Sequence, residues 1–450
     1  MKGLCTFINI FEIGTKTKGP TPILMDIKLV VELKKIFNWQ VIKVRMEFKF
    51  AWNNRIYKRK KDLIKVTIIL YNSYQVTILY FCLTMKLKVK DITAMLEVVA
   101  PLESQESYDN SGLIVGNHDM EVTEVLLSLD CIEETVEEAI QMGANLIIAH
   151  HPIVFSGLKQ LNGKNYVERT VIKAIKNDIA IYAIHTNLDN YKLGVNYEIA
   201  QRLGISNPKI LAPKKNILKK LVVFCPESHS NKVSQAIFEA GGGNIGEYSE
   251  CNFESTGNGA FLAGENANPT SGTIGNLEKA EEKRIEILIT VHKESQIISA
   301  MKAAHPYEEV AHDIYPISNV NQDEGSGMIG ELNKPMETEA FLSHIKAVFN
   351  CGIIRHTEII KTQIKTVAFC GGAGSFLLDN AKNQKADIYI TGDFKYHEFF
   401  DAEKSIIIAD IGHFESEQYT PHLILALLKK KFINFAFHLS KVNTNPINYF

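Results

Sequence analysis

With 450 residues, 46% of them apolar and 22% charged, the chain has an ordinary soluble composition and room for two or three domains. Its net charge of −2 conceals an asymmetry: residues 1–84 carry 15 Lys and Arg against 5 Asp and Glu, and the remainder carries 34 against 46. An acidic body is unsuited to nucleic acid, whose phosphates need a basic face, and seven cysteines without a C-x-x-C pair point to free thiols in a reducing, cytoplasmic setting rather than a zinc knuckle.

Residues 1–84 do not share the patterning of the rest. They hold both tryptophans, Trp39 and Trp52, and the basic run Lys58-Arg59-Lys60-Lys61, and no helical or strand period persists through them. The apolar stretch 66–83 is about long enough to cross a bilayer behind a positive flank, but Asn72, Ser73 and Gln75 interrupt it, so a membrane anchor is not expected. A cleavable signal peptide fits worse, because the basic and apolar regions begin too late. From Met85 the sequence opens as an amphipathic helix, which makes Met85 the expected start of the folded protein and 1–84 an atypical extension outside it.

The body then alternates. Helical patterning over 90–101 closes at Pro101, and an apolar run at 113–115 follows a loop. Strands are expected at 122–130, 145–149 and 180–184, and helices at 133–142, 170–177 and 195–203. Strands that alternate with helices mean a mostly parallel sheet with crossovers and helices on both faces. The pattern changes over 217–320. A strand at 219–225, a helix at 231–239, short strands near 244–250 and 259–263, a strand at 284–291, a helix at 295–303 and a strand at 310–315 give the order of a ferredoxin-like unit with one extra strand. The charged segment 278–283 reads as a hairpin connection within it. After Gly325 the α/β alternation resumes, with helices at 337–349, 396–402 and 415–430 and strands at 367–370, 387–391 and 405–411. The organisation is an α/β core in two halves, 85–216 and 321–450, split by an insertion at 217–320.

Three strand ends carry chemistry. The strand at 145–149 runs into His150-His151-Pro152, and adjacent side chains on extended backbone point to opposite sides, so the pair suits two neighbouring metals. The strand at 180–184 is followed by His185-Thr186-Asn187-Leu188-Asp189, where Asp189 offers a hard carboxylate. The strand at 405–411 leads into Gly412 and a helix whose His413 and Glu417, four apart, share one face, while Glu415 points elsewhere. Each piece alone has an ordinary structural explanation: solvated histidines, a turn or cap aspartate, a capped helix. Together they give three imidazoles and two carboxylates without thiolate, a donor set that suits Zn, Mn, Fe, Co or Ni.

In combination, residues 106–113 (Glu-Ser-Tyr-Asp-Asn-Ser-Gly-Leu), 149–152, 185–189, 371–375 (Gly-Gly-Ala-Gly-Ser), 391–393 and 412–417 resemble the GTP cyclohydrolase I type 2 homologues, also called NIF-three-like dinuclear-metal hexameric proteins. The resemblance covers about 85–450. It implies a site for two divalent ions formed by His150, His151, Asp189, His413 and Glu417, with the glutamate bridging, and a toroidal homohexamer. It also makes the middle segment, with its His305-Pro306-Tyr307-Glu308-Glu309 turn, similar to an optional PII/CutA-like insertion.

Other signals are weaker. The glycines of 371–375 could cradle a phosphate or form a plain strand-to-helix turn, and they lack the full P-loop spacing. Asp393 and His397 follow another strand end and are the candidates for acid/base work or for orienting ligands. Asp109 and Asn110 read as loop caps. Two function classes remain open: a metal-dependent hydrolase of a small, nucleotide or phosphorylated, molecule, and a non-catalytic metal-binding or regulatory assembly.

Overall fold

The computed structural model describes residues 86–450 in full and, before them, the backbone of three strands. These are β1 (Val41–Glu47), β2 (Ile64–Asn72) and β3 (Gln75–Leu83), an antiparallel sheet in which Asn72 pairs with Gln75. The stretch 66–83 thus holds parts of two paired strands rather than one span, as its β-branched residues favour. The strands belong to a unit separate from Leu87–Phe450. The rest of 1–85, including the start expected at Met85, lies outside the described residues. No helix among the described residues is long and apolar enough to cross a membrane.

The larger unit begins with α1 (Val89–Val99), which buries Val89, Ile92, Thr93, Met95 and Leu96 at helical spacing. Then come β4 (Gly112–Val115), β5 (Val125–Ser128), α2 (Glu133–Met142), β6 (Leu146–Ala149), α3 (Tyr166–Lys176), β7 (Ala180–Ala183), the single turn α4 (Thr186–Asp189) and α5 (Val195–Leu203). Gly143 stops α2 in the left-handed conformation, and the Asn165 side chain caps α3 by accepting from Glu168 N. All four residues are buried in each of β5, β6 and β7, as parallel strands covered on both faces require.

Next are β8 (Ile205–Lys214), β9 (Leu218–Pro226), α6 (Glu227–Glu239), β10 (Asn252–Leu262), β11 (Leu277–Thr290), α7 (Glu294–Ala304), β12 (His312–Pro316) and β13 (Asn321–Glu337). The chain closes with α8 (Thr338–Val348), β14 (Arg355–His356), β15 (Gln363–Ala373), α9 (Leu378–Asn383), β16 (Ile388–Gly392), β17 (Ile407–Asp410), α10 (His413–Glu417), α11 (Thr420–Lys431) and β18 (Phe437–Leu439).

The result is a mixed α/β fold with three sheets in this unit rather than a single parallel core. One has the order β18-β5-β6-β7-β4 and is parallel except at the β4 edge. The second, β14-β17-β16-β15-β13-β8, is parallel only between β17, β16 and β15. The third, β10-β11-β9-β12, is antiparallel throughout and lies between β8 and β13 in the chain. A shared core joins the first two sheets: Leu146 and Ile148 meet Phe369, Ile390 and Ile407, with Ile92, Ile199 and Ile424 of the helices.

Several elements differ from expectation for local reasons. The charged segment 278–283 is the first half of the long strand β11, paired to β10 rather than turning. Residues 244–250 form a tight turn with one bridge, Ile245 to Tyr248, and no strand. Strand β8 carries Pro208 and Pro213, which lack the N–H of a central strand, and it sits at a sheet edge where that is tolerated. In β13, Gly325, Gly327 and Gly330 erase the apolar alternation, and a Cβ on Gly330 would lie 2.5 Å from Ile205 Cγ2. The helix expected over 415–430 is two helices, α10 and α11.

Candidate metal centre

The carboxyl ends of β6 and β7 in one sheet meet those of β15, β16 and β17 in the other, and the side chains gathered there come from both halves of the chain. Four histidines converge. The ring centroids of His150 and His151 are 4.9 Å apart, His185 is 5.3 Å from each, and His413 is 5.2 Å from His151. Every one of these rings is held at Nδ1. His150 donates to Ile184 O at 2.8 Å, His151 to Asp130 at 2.7 Å, His185 to Asp109 at 2.7 Å and His413 to Asp393 at 2.7 Å. A hydrogen on Nδ1 leaves the Nε2 lone pair for whatever lies inward, the usual arrangement of metal-ligating imidazoles.

Two carboxylates enter the same space. Glu417 divides its oxygens: Oε1 lies 3.8 Å from His150 Nε2, whereas Oε2 lies 3.0 Å from His151 Nε2 and 3.1 Å from His413 Nε2. Asp189 Oδ1 is 3.5 Å from His150 Nε2. Two groups share Glu417: an inner one of His150, Asp189 and Glu417, and an outer one of His151, His413 and Glu417, the ligand atoms of each within 4.8 Å of one another. A third grouping joins His150 and His151 to His185. The inner group is the more enclosed, with His150 fully buried and the His413 side chain 34% exposed.

The chemistry of this donor set calls for a cation. His150 Nε2 and Asp189 Oδ1 are buried and have no hydrogen-bond partner among the described residues, although they face each other. A lone pair and a carboxylate oxygen left so cost several kcal/mol unless positive charge stands between them. Burial, then the charge of Glu417, pushes the Asp189 carboxyl up. Glu417 goes the other way: burial opposes its charge, but His413 and the hydrogen bonds from the histidines hold it well below the usual range. Burial also works against charge on the outer rings, yet hydrogen bonds accepted by Asp130 and Glu417 raise His151 to about 9, and the charge of Glu417 with Asp393 raises His413 to about 11.

The glycines of 371–375 serve this cluster. Gly371 N donates to Asn196 Oδ1 and Gly372 N to Ser416 Oγ, so neither amide is free for a phosphate. Gly372 has φ +64, and a Cβ there would lie 2.4 Å from Glu417 Oε1. The loop is a seat for the shared glutamate. Asp410, 3% exposed, knits the neighbouring strand ends: it accepts from Phe394 N and Gly412 N, both at 3.0 Å, and pairs with Arg355.

All five residues expected as ligands are thus neighbours. Asp393 stands behind His413, whereas His397 is exposed on the 3₁₀ turn Tyr396–Ala402 beside Tyr396 and Phe400 and belongs to none of the groups. His185 escaped the reading as a cluster member, although it follows β7 as His150 follows β6. Asp109 is more than a loop cap: its carboxylate holds His185 and accepts from Thr186 N at 3.0 Å. Asp130, two residues past β5, was hidden because nothing local distinguishes it from a turn aspartate.

Residues 87–446 match the family model Duf34/NIF3 (NGG1p interacting factor 3). A GTP cyclohydrolase 1 type 2 homolog of Halalkalibacterium halodurans is 39% identical over 76% of this chain and 93% of its own length, and one from Bacillus subtilis is 36% identical over 80% and 98%. The crystal structure of a Bacillus cereus protein related to NIF3 superposes with a TM-score of 0.72 at 38% identity, covering 82% of this chain and all of that one. A match that spans the motifs of both sheets as well as the segment between them can have only one meaning: the chain belongs to the Duf34/NIF3 family.

Proposed function

We propose that the cluster holds two divalent metal ions, one in the inner and one in the outer group, and that the loaded protein hydrolyses a small nucleotide or phosphorylated substrate. The observation that carries this is the split of Glu417, whose two oxygens face different donor groups beside the unpartnered pair His150 Nε2 and Asp189 Oδ1. Zn, Fe, Mn, Co and Ni all suit the imidazole and carboxylate set. Ions held there would supply water activation at neutral pH and charge to offset a developing oxyanion. The chain's own part is to position and to balance. Asp130 and Asp393 orient His151 and His413, Glu417 offsets charge in both groups, and His185, fixed by Asp109 and grouped with His150 and His151, is the base that would move a proton. The name carried by the relatives, GTP cyclohydrolase 1 type 2 homolog, supports a hydrolytic reading with a nucleotide among the first substrates to try.

The same reading includes a cytoplasmic homohexamer that binds no nucleic acid, and a ferredoxin-like insertion between the two halves of the core. The order β10-β11-β9-β12, with α6 and α7 as the two crossovers, supports that description of the segment without the extra strand. It also favours a second reading, in which the insertion senses an effector and the metal centre is regulatory. Metal analysis of purified protein, then a hydrolase screen with that metal restored, tests the first reading. Turnover that disappears in His413→Ala while the assembly persists supports it; turnover that is absent from the loaded wild-type protein favours the second.

A further inference from the structure

The segment that follows β18 leaves the first sheet at Ser440 and touches from behind the residues that support both ligand elements of the outer group. Ser440 N donates to Leu127 O at 2.8 Å, and Lys441 N donates to Glu138 on α2 at 2.9 Å. The segment then reaches Asp130. That carboxylate is shared: Oδ1 accepts from His151 Nδ1, and Oδ2 accepts from Thr444 Oγ1 at 2.6 Å. One residue on, Asn445 Nδ2 lies 3.3 Å from Glu415 Oε1, and Tyr449 OH lies 3.2 Å from the same oxygen. Glu415 is 5% exposed and sits on α10 between His413 and Glu417, facing away from the cluster. The backbone makes room for this contact. A Cβ on Gly412 would lie 2.2 Å from Glu415 Oε2, and one on Gly352 would lie 2.8 Å from the Tyr449 ring.

We infer that residues 440–450 form a strap that sets the outer group, with Thr444 as a positioning residue for His151 through Asp130, and Asn445 with Tyr449 as positioning residues for α10 through Glu415. The two ligand elements it ties come from different sheets, so no single strand or helix fixes their separation. A hydroxyl on Asp130 Oδ2 leaves Oδ1 directed at one ring nitrogen and stops the carboxylate from rotating. The phenol and amide on Glu415 hold α10 at one rotation, which directs His413 and Glu417 inward. The inner group depends on the strap only through the shared Glu417, since His150 is held by a backbone carbonyl and Asp189 comes from the turn after β7.

This inference rests on the metal reading of the cluster, and the test separates the two. The probe is Zn²⁺ alone, titrated into stripped full-length protein against a chromophoric chelator, for wild type, Thr444→Val, Thr444→Ser and the pair Asn445→Ala with Tyr449→Phe. The expected result is two ions in the wild type, with one of them weakened about 10-fold or more in Thr444→Val, in the range that orienting groups behind ligands command. Thr444→Ser restores the affinity, Asn445→Ala with Tyr449→Phe weakens that ion most and the other only through Glu417, and the stripped proteins melt alike. Wild-type affinity in Thr444→Val, or a Thr444→Ser as weak as Thr444→Val, overturns the strap while two bound ions uphold the centre. A wild type that takes up no Zn²⁺ overturns both.

Discussion

The inner and outer groups of the cluster share a glutamate but are built by different means. In the inner group His150 is fully buried and its Nδ1 is held by a neutral carbonyl, and Asp189 arrives on a short turn directly after β7. In the outer group both rings are partly exposed and both are held by carboxylates, Asp130 and Asp393. Backbone fixes the first and side chains fix the second. The inner group is therefore set by the sheet itself, while the outer group depends on residues that single substitutions can reach. An anionic partner also makes an imidazole a stronger base, so the outer rings bind protons more tightly when no cation competes.

The largest effect is expected where the two groups meet. Gly372→Ala places a Cβ against Glu417 Oε1 in a left-handed backbone, although the residue offers no ligand atom. It should abolish uptake of both ions, read as metal per chain by elemental analysis beside a melting curve. Retention of both would show that Glu417 can be displaced without harm. Next comes a contrast. Asp189→Asn should remove the inner ion and leave the outer, whereas Asp393→Asn should leave the inner ion and weaken the outer about 10- to 100-fold. Equal loss of both ions in the two variants would erase the distinction between the groups.

The smallest effect is on pH dependence. His151 and His413, raised to about 9 and about 11, carry protons at pH 7 in the cation-free arrangement that the ligand form must give up. Protons therefore compete with the ion, and affinity for the outer ion rises with pH between 7 and 9. Calorimetry in buffers of different ionisation enthalpy should record net proton release on binding at pH 7. Proton uptake, or no net exchange, would contradict the assignment of these rings as ligands.

The five-residue set was legible because each member stands at the end of a strand whose apolar run announces it, and because Glu417 sits one helical turn from His413. What lies behind those residues was not. Asp130 and Asp393 act on rings that are distant in sequence, and Thr444 lies 314 positions from the carboxylate it holds. Spacing carries no trace of such pairings. The sheet count failed for a different reason. Pro208 and Pro213 in β8, and Gly325, Gly327 and Gly330 in β13, are the residues that local propensity reads as loop, yet these two strands pair antiparallel with each other at one edge of the second sheet. His305 illustrates the opposite case: Nδ1 accepts from Tyr307 N and Nε2 donates to Phe224 O, so the motif around it locks a turn and offers no lone pair to a ligand.

The proposed centre stands or falls with Glu417 serving two ions at once. Elemental analysis of wild type and Glu417→Gln, reloaded identically and checked by melting, tests it most directly, since the amide keeps the shape and removes the charge that both groups share. The expected result is about two ions per chain in the wild type and loss of both in Glu417→Gln. A Glu417→Gln protein that retains two ions at wild-type affinity would contradict it.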